Sequence, residues 1–249
     1  METPKNSIQF KVYGKYALFT DPLTKIGGEK CSYHIPTYEA LKGVVKSVYW
    51  KPTLVWHIDK VRVMKPVRTQ TKGVKTLKLS GGNDLSIYTY LVDVEYQVLA
   101  HFEWNIYRPE LENDRIDGKH YQIALRMLER GGRQDIFLGS RECQGYVEPC
   151  TFGNGKGHYD DIDEMAFGLM FHSFGYPDET GKEILITRLW KPVMKKGIIE
   201  FSHVDDTTNI VKEVRPMKAK KFGLDKNQNP AEQEYKELLI QTGGEDSEL

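Results

Sequence analysis

The run Asp117-Gly118-Lys119-His120-Tyr121-Gln122-Ile123-Ala124-Leu125-Arg126-Met127-Leu128 has the spacing of an amphipathic helix. Tyr121, Ala124, Leu125 and Leu128 recur at i, i+3, i+4 and i+7, and Asp117 stands ahead of them as a candidate N-cap. The first turn sets Lys119 and His120 beside amides without an intrahelical partner, at the positive end of the helix dipole. That combination favours an anion such as phosphate. By itself the segment also reads as an ordinary capped helix with a polar first turn. Its position in the chain decides between the two.

Working outward, Ile8, Phe10 and Val12 alternate with polar residues as a first strand. Thr37 can cap a first helix whose apolar stripe is Leu41, Val44, Val45 and Val48, and which must stop near Lys51 because Pro52 follows. Leu54 to Val67 reads as a long β-branched strand, and Val94 to Ile106 as another. The Gly118 helix comes next, then a glycine turn at Gly131-Gly132-Arg133, then at least one strand between Ile136 and Phe152. This βαββαβ order predicts an α+β fold, a ferredoxin-like domain of the RNA-recognition kind over residues 1–152. Residues 153–215 read as a small antiparallel β subdomain, with strand-like runs at Ala166–Phe174, Glu183–Trp190 and Gly197–Ser202 and a turn at Pro177–Gly181.

In a βαββαβ domain the end of the first helix and the start of the second lie at one edge. The former carries Tyr49 and Trp50 and the latter Lys119 and His120, so three groups that handle protons and charge, Tyr49, Lys119 and His120, are expected to converge there. The alternative for Tyr49 is plain core packing, since it lies four residues after Val45.

Several blocks resemble the CRISPR-associated endoribonuclease family of type I-C systems. They are Tyr16-Ala17-Leu18-Phe19-Thr20-Asp21-Pro22 continuing through Lys25-Ile26-Gly27-Gly28-Glu29-Lys30, Ser47-Val48-Tyr49-Trp50-Lys51-Pro52, and Asp59-Lys60-Val61-Arg62-Val63-Met64-Lys65-Pro66. Gly118-Lys119-His120-Tyr121 and Asp135 through Tyr146 complete the set, so the resemblance runs from about residue 7 to residue 200. It implies an enzyme that cuts the CRISPR transcript within each repeat without metal or cofactor. It also implies that the protein stays bound to the handle of the crRNA and joins the other subunits of the type I-C surveillance complex. The family's catalytic tyrosine falls on Tyr49, its lysine on Lys119 and its histidine on His120. Its glycine-rich loop after the second helix implies RNA contacts by Arg133 and Arg141.

Those residue types suit metal-free cleavage. The neighbouring 2′-hydroxyl attacks phosphorus, which requires a base, charge stabilisation at the phosphorane and an acid for the 5′-oxygen. Histidine can fill either proton role and lysine can meet the charge. Tyrosine, with a reference pKa of about 10, is expected to gain acidity from Lys119 and the helix terminus. Acid and base stay unassigned between Tyr49 and His120. A non-catalytic RNA-binding scaffold subunit is the alternative function.

The 249 residues carry a formal net charge of zero, so composition alone does not announce a nucleic-acid binder. The charge is uneven, however. Lys60, Arg62, Lys65, Arg68, Lys72, Lys75 and Lys78 follow one another with no acidic residue among them, on what reads as a strand and a hairpin around Gly73. Such a stripe would track repeat-RNA phosphates. Glu232, Glu234, Glu237, Glu245, Asp246 and Glu248 make residues 216–249 an acidic tail, with a short helix expected over Ala231–Gln241. Asp160, Asp161, Asp163 and Glu164 could suggest a two-metal nuclease but read better as a solvated loop. Cys143, Cys150 and His158 lack zinc-site spacing, and three cysteines fit free thiols in a reducing cytoplasm. No apolar run approaches the ~18 residues that would span a bilayer, so no membrane partner is expected. The glycine turns lack a Walker lysine pattern.

Overall fold

The computed structural model describes residues 6–219 apart from Leu79. The acidic helix expected over 231–241 lies outside them. In chain order the elements are β1 (Ser7–Ala17), α1 (Pro22–Lys25), β2 (Lys30–Cys31), α2 (Tyr38–Val48), β3 (Leu54–Val63), β4 (Thr69–Leu77) and β5 (Asn83–Trp104). After a 3-10 turn at Pro109–Asp114 come α3 (Lys119–Glu129), β6 (Ile136–Phe137) and β7 (Gln144–Pro149). The remainder is β8 (Met165–Ala166), β9 (Met170–Gly175), α4 (Pro177–Thr180), β10 (Ile184–Trp190), β11 (Val193–Lys195), β12 (Ile198–Glu200) and β13 (Ile210–Pro216).

The protein is a mixed helix-and-strand fold with largely antiparallel sheets. Its first sheet runs β6-β7-β1-β5-β3-β12-β11-β8, with β2 and β4 also paired to β5. Within it, the strands flanking α2 and α3 lie in the order β7-β1-β5-β3. Ile8, Phe10 and Val12 of β1, Val98 and Ala100 of β5, and Trp56, Ile58 and Val61 of β3 are all buried. The stripes of the two helices join them in one core. A buried side chain of this size contributes about 1.5–3 kcal/mol.

α2 forms as its sequence dictates. Thr37 accepts from the Ala40 amide at 3.2 Å, and Leu41, Val44, Val45 and Val48 are buried. The helix stops at Tyr49, whose backbone turns extended (φ −159°, ψ 129°) while its N–H still donates to Val45 O at 2.9 Å. α3 departs from expectation. Its N-cap is Gly118 in the left-handed region (φ 74°), not Asp117, and no side chain caps it. The buried positions are His120, Ala124 and Leu128, so the inward stripe is headed by the histidine. Tyr121 and Leu125 are only partly buried against the core.

Strand lengths differ from the pattern as well. β3 ends at Val63, short of the Lys65-Pro66 pair. β5 begins at Asn83, well ahead of Val94, and its first half pairs with β4 as an antiparallel ribbon turning at Gly81 and Gly82. Asp93 breaks the long strand with φ 54°, where its neighbour on one side changes from β4 to β3. Aspartate tolerates that region better than most residues.

The strands after residue 152 are divided between two sheets. β12 pairs with β3, opposing Glu200 to Lys60, and β11 and β8 extend the same sheet. β13, β10 and β9 form a separate three-stranded sheet. Pro177–Thr180, expected as a turn, is a one-turn helix whose Glu179 binds Lys42 (2.5 Å) and Lys46 (3.0 Å) of α2. No helix among the described residues is long and apolar enough to cross a membrane.

Gly139 is the tightest glycine. Its φ is +93°, and a Cβ there would lie 2.0 Å from the Leu18 carbonyl oxygen. Gly139→Ala should therefore cost at least ~2 kcal/mol and lower the melting temperature by roughly 5 °C or more. An unchanged thermal melt would contradict this packing.

Candidate functional site

Tyr49 and His120 meet. The end of α2 and the start of α3 lie side by side, and the Tyr49 hydroxyl is 2.8 Å from His120 Nδ1 across 71 residues of sequence. The phenol ring is fixed through its backbone, because Trp56 Nε1–H donates to Tyr49 O at 2.8 Å while the Tyr49 N–H holds Val45. On its other edge His120 Nε2 lies 2.8 Å from the Asp114 carbonyl oxygen. A carbonyl only accepts, so the proton of neutral His120 sits on Nε2 and Nδ1 accepts from the tyrosine. Trp104, the last residue of β5, closes the site edge-on with its ring 5.6 Å from that of His120. Both members of the pair are buried, Tyr49 at 2% exposure and His120 at 1%.

Asp114 is the organiser that sequence reasoning missed. Its carboxylate takes Lys119 Nζ at 2.6 Å and the Thr53 hydroxyl at 2.6 Å, and lies 3.4 Å from His120 Nε2. Burial works to raise its pKa, but the Lys119 and Thr53 hydrogen bonds outweigh this and hold it below the usual carboxylate range. The only sequence signal was an acid-rich run, Glu110, Glu112 and Asp114, which looks like any solvated turn. The loop bearing it is pinned by Arg115, whose guanidinium donates to Asn105 O (2.9 Å) and Arg108 O (3.0 Å).

The electrostatics of Tyr49 correct the expectation. Its pKa is raised, first by burial and then by the Asp114 charge, while Arg133 pulls the other way. Lys119 was expected to make the phenol more acidic, but its ammonium is occupied by Asp114. The cation that favours phenolate is Arg133, from the glycine turn after α3. That turn is anchored where Arg133 N–H reaches Ser47 O at 3.1 Å, two residues before Tyr49. Two cations, Lys119 and Arg133, against one carboxylate leave the site one net positive charge, suited to a phosphodiester.

The basic run does not form a single exposed stripe. Arg62 is buried and bound to Asp160 (2.7 Å), with further bonds to Gly155 O and Asn154 O. Arg62 serves the fold, and its partner is Asp160, the first acid of the loop at 160–164. Lys60 pairs with Glu200 at 2.5 Å and Lys65 with Asp93 at 2.8 Å. Counter-charges absent between residues 60 and 78 arrive from neighbouring strands. Arg68 and Lys75 are exposed, and Lys72 lies 3.4 Å over the Tyr16 ring. Arg133 and Arg141 are exposed, Arg141 facing the Phe137 ring at 5.8 Å. A trough of about 560 Å³ runs along Gly131–Ile136 and Gln144–Tyr146.

Comparison with known proteins places the chain in a CRISPR-associated class. The family model described as CRISPR-associated protein (Cas_Cas5), Cas5d branch, matches residues 7–202, and the chain belongs to that family. A curated relative from Thermus thermophilus, named CRISPR pre-crRNA endoribonuclease Cas5d, is 27% identical over 187 residues, covering 70% of this chain and 79% of the relative. Another of the same name, from Mannheimia succiniciproducens, is 39% identical over 66 residues, 26% of this chain and 28% of that protein. Among solved structures, one described as a CRISPR-associated protein is 34% identical with a TM-score of 0.71, covering 83% of this chain and 96% of its own. A functionally uncharacterized protein from Streptococcus mutans is 36% identical with a TM-score of 0.69 over the same shares.

Arg62→Ala should destabilise the fold by ~2–3 kcal/mol, since Asp160 is only partly exposed. Arg62 and the Gly157 amide hold the Asp160 carboxyl below its ordinary pKa. The stabilisation is thus complete above the unfolded value of about 3.9 and is lost as pH falls through the folded value. The gap between the thermal melts of the two proteins should narrow below about pH 4. A gap that stays constant to strong acid would exclude the Asp160 pairing as its source.

Proposed function

We propose that this chain is a repeat-specific, metal-independent endoribonuclease that processes CRISPR transcripts, keeps the crRNA handle and serves as a subunit of the type I-C complex. The observation that carries the reading is the 2.8 Å hydrogen bond joining Tyr49 to His120 at one edge of the sheet. The names of the curated relatives support it.

With its pKa raised, Tyr49 is protonated at neutral pH and donates to His120. The base is then the pair. As the 2′-hydroxyl proton passes to the Tyr49 oxygen, the Tyr49 proton passes to His120 Nδ1, and the Asp114 carbonyl and carboxylate stabilise the imidazolium. The 2′-oxygen bonds to phosphorus and the bond to the 5′-oxygen breaks, leaving a 2′,3′-cyclic phosphate. Lys119, exchanging Asp114 for the phosphate, meets the phosphorane charge with Arg133 and gives its proton to the 5′-oxygen. Solvent then returns the protons. Substrate approaches from the side of Lys119 and Arg133, the exposed members of the group.

The order β7-β1-β5-β3 with α2 and α3 between supports a ferredoxin-like reading of residues 1–152 as the catalytic and RNA-binding unit, with 153–215 as its β-rich companion. Arg68, Lys72 and Lys75 on the β4–β5 ribbon, with Arg133 and Arg141 on the glycine loops, are the proposed phosphate contacts. Lys60 and Lys65 contribute only by releasing Glu200 and Asp93.

The chain should cut its own repeat RNA in EDTA, and should fail on RNA with a 2′-deoxy scissile nucleotide. His120→Ala and Tyr49→Phe should each slow cleavage by ~10²–10⁴-fold. Uncut but tightly bound RNA would make the protein a scaffold subunit instead. Asp114→Asn lowers the phenol pKa toward its ordinary value and unties Lys119. The alkaline limb of the pH–rate profile should therefore move to lower pH, and an unmoved limb would remove Asp114 from the mechanism.

A further inference from the structure

A second cluster of proton- and metal-binding groups lies away from the Tyr49–His120 pair. His57 of β3 and His101 of β5 are direct cross-strand partners, and their rings stack with centroids 5.2 Å apart. The Nδ1 edge of each ring is engaged, His57 by the Tyr38 hydroxyl (3.3 Å) and His101 by the Asp59 carboxylate (2.8 and 3.0 Å). The Nε2 edges both face Glu103, two residues on from His101, at 3.7 and 3.8 Å. His203, from the loop after β12, stacks on His57 at 5.2 Å. One ligand atom from each of His57, Glu103 and His203 falls within 4.8 Å of the others.

We propose that His57, Glu103 and His203 bind a divalent transition-metal ion of the zinc class, with His101 beside them. Nε2-to-carboxylate separations of 3.7–3.8 Å are too long for good hydrogen bonds. Neighbouring ligands around a tetrahedral zinc at ~2.0–2.1 Å lie about 3.3 Å apart, so Glu103 closes on His57 by a few tenths of an ångström, while His203, within 4.8 Å of both, swings in farther. Fixing a histidine's far nitrogen by a carboxylate or hydroxyl is the usual outer shell of such sites, because it sets the tautomer and aims the lone pair. Two imidazoles and one carboxylate select a borderline ion over magnesium, which keeps oxygen ligands. Glu103 and His203 are exposed, so they close on an ion without repacking the core. The remaining coordination position opens into a cavity of about 640 Å³ that Trp104, Arg188 and Asp205 also line. This site is separate from the proposed cleavage chemistry, which needs no ion.

Titration of EDTA-stripped, tag-free protein with Co²⁺ tests it. One equivalent should bind with visible ligand-field absorption and no thiolate charge-transfer band, which separates this site from Cys31, Cys143 and Cys150. Glu103→Gln and His203→Ala, each at a surface position, should each weaken binding at least 10-fold while leaving the thermal melt of the metal-free protein unchanged. Absence of saturable binding, a thiolate band, or undiminished affinity in both variants would overturn the site.

Discussion

The structure hangs on one strand. β5 hydrogen-bonds to β1 along Leu91–His101, to β3 along Tyr96–Trp104 and to β4 along Asn83–Leu91, with β2 joining at Tyr88 and Thr89. Register in such a strand is not negotiable. A slip of one residue would carry Val98, Ala100 and Phe102 out of the core and bring Glu95 and His101 into it. Its last residue, Trp104, packs edge-on against His120, so the same pairing that orders the sheet also sets the floor beneath the candidate catalytic pair. Asp93 lets one strand serve both the sheet and the projecting ribbon, at the price of a left-handed residue.

From that frame the site follows by geometry. α2 ends because Pro52 is near, and Tyr49 leaves it in extended conformation, held at both backbone ends. α3 starts on a left-handed glycine that turns His120 inward and Lys119 outward. Asp114 then divides the two, a carbonyl for the imidazole and a carboxylate for the ammonium. Burial and the Asp114 charge together keep Tyr49 protonated, and in that state its hydroxyl donates to His120.

Much of this was legible in sequence, for physical reasons. Leu41, Val44, Val45 and Val48 repeat at helical spacing, and Ile8, Phe10 and Val12 alternate, because single elements carry their own periodicity. The shared edge of Tyr49 and His120 was legible from topology, with core packing as the alternative for Tyr49; the fold gives both, a buried ring whose hydroxyl meets His120. What depended on distant partners was not. Nothing near Arg62 announces Asp160, nor does anything near Lys60 announce Glu200, since those ion pairs form only when β12 and the 153–160 loop return to β3. The basic run therefore looked like an open stripe when half of it is paired. Asp117 looked like the cap of α3 because a side-chain rule was applied where a glycine dihedral does the work. Asp114 is marked only by an acid-rich run that looks like any solvated turn; its importance comes from folding back on α3.

The central claim is that Tyr49 donates to a His120 whose proton is fixed on Nε2. Long-range ¹H–¹⁵N correlation of the His120 ring tests it directly. The neutral ring should be the Nε2–H tautomer, with an Nδ1 resonance that moves when Tyr49 becomes phenylalanine. An Nδ1–H tautomer, or a ring indifferent to Tyr49→Phe, would contradict it.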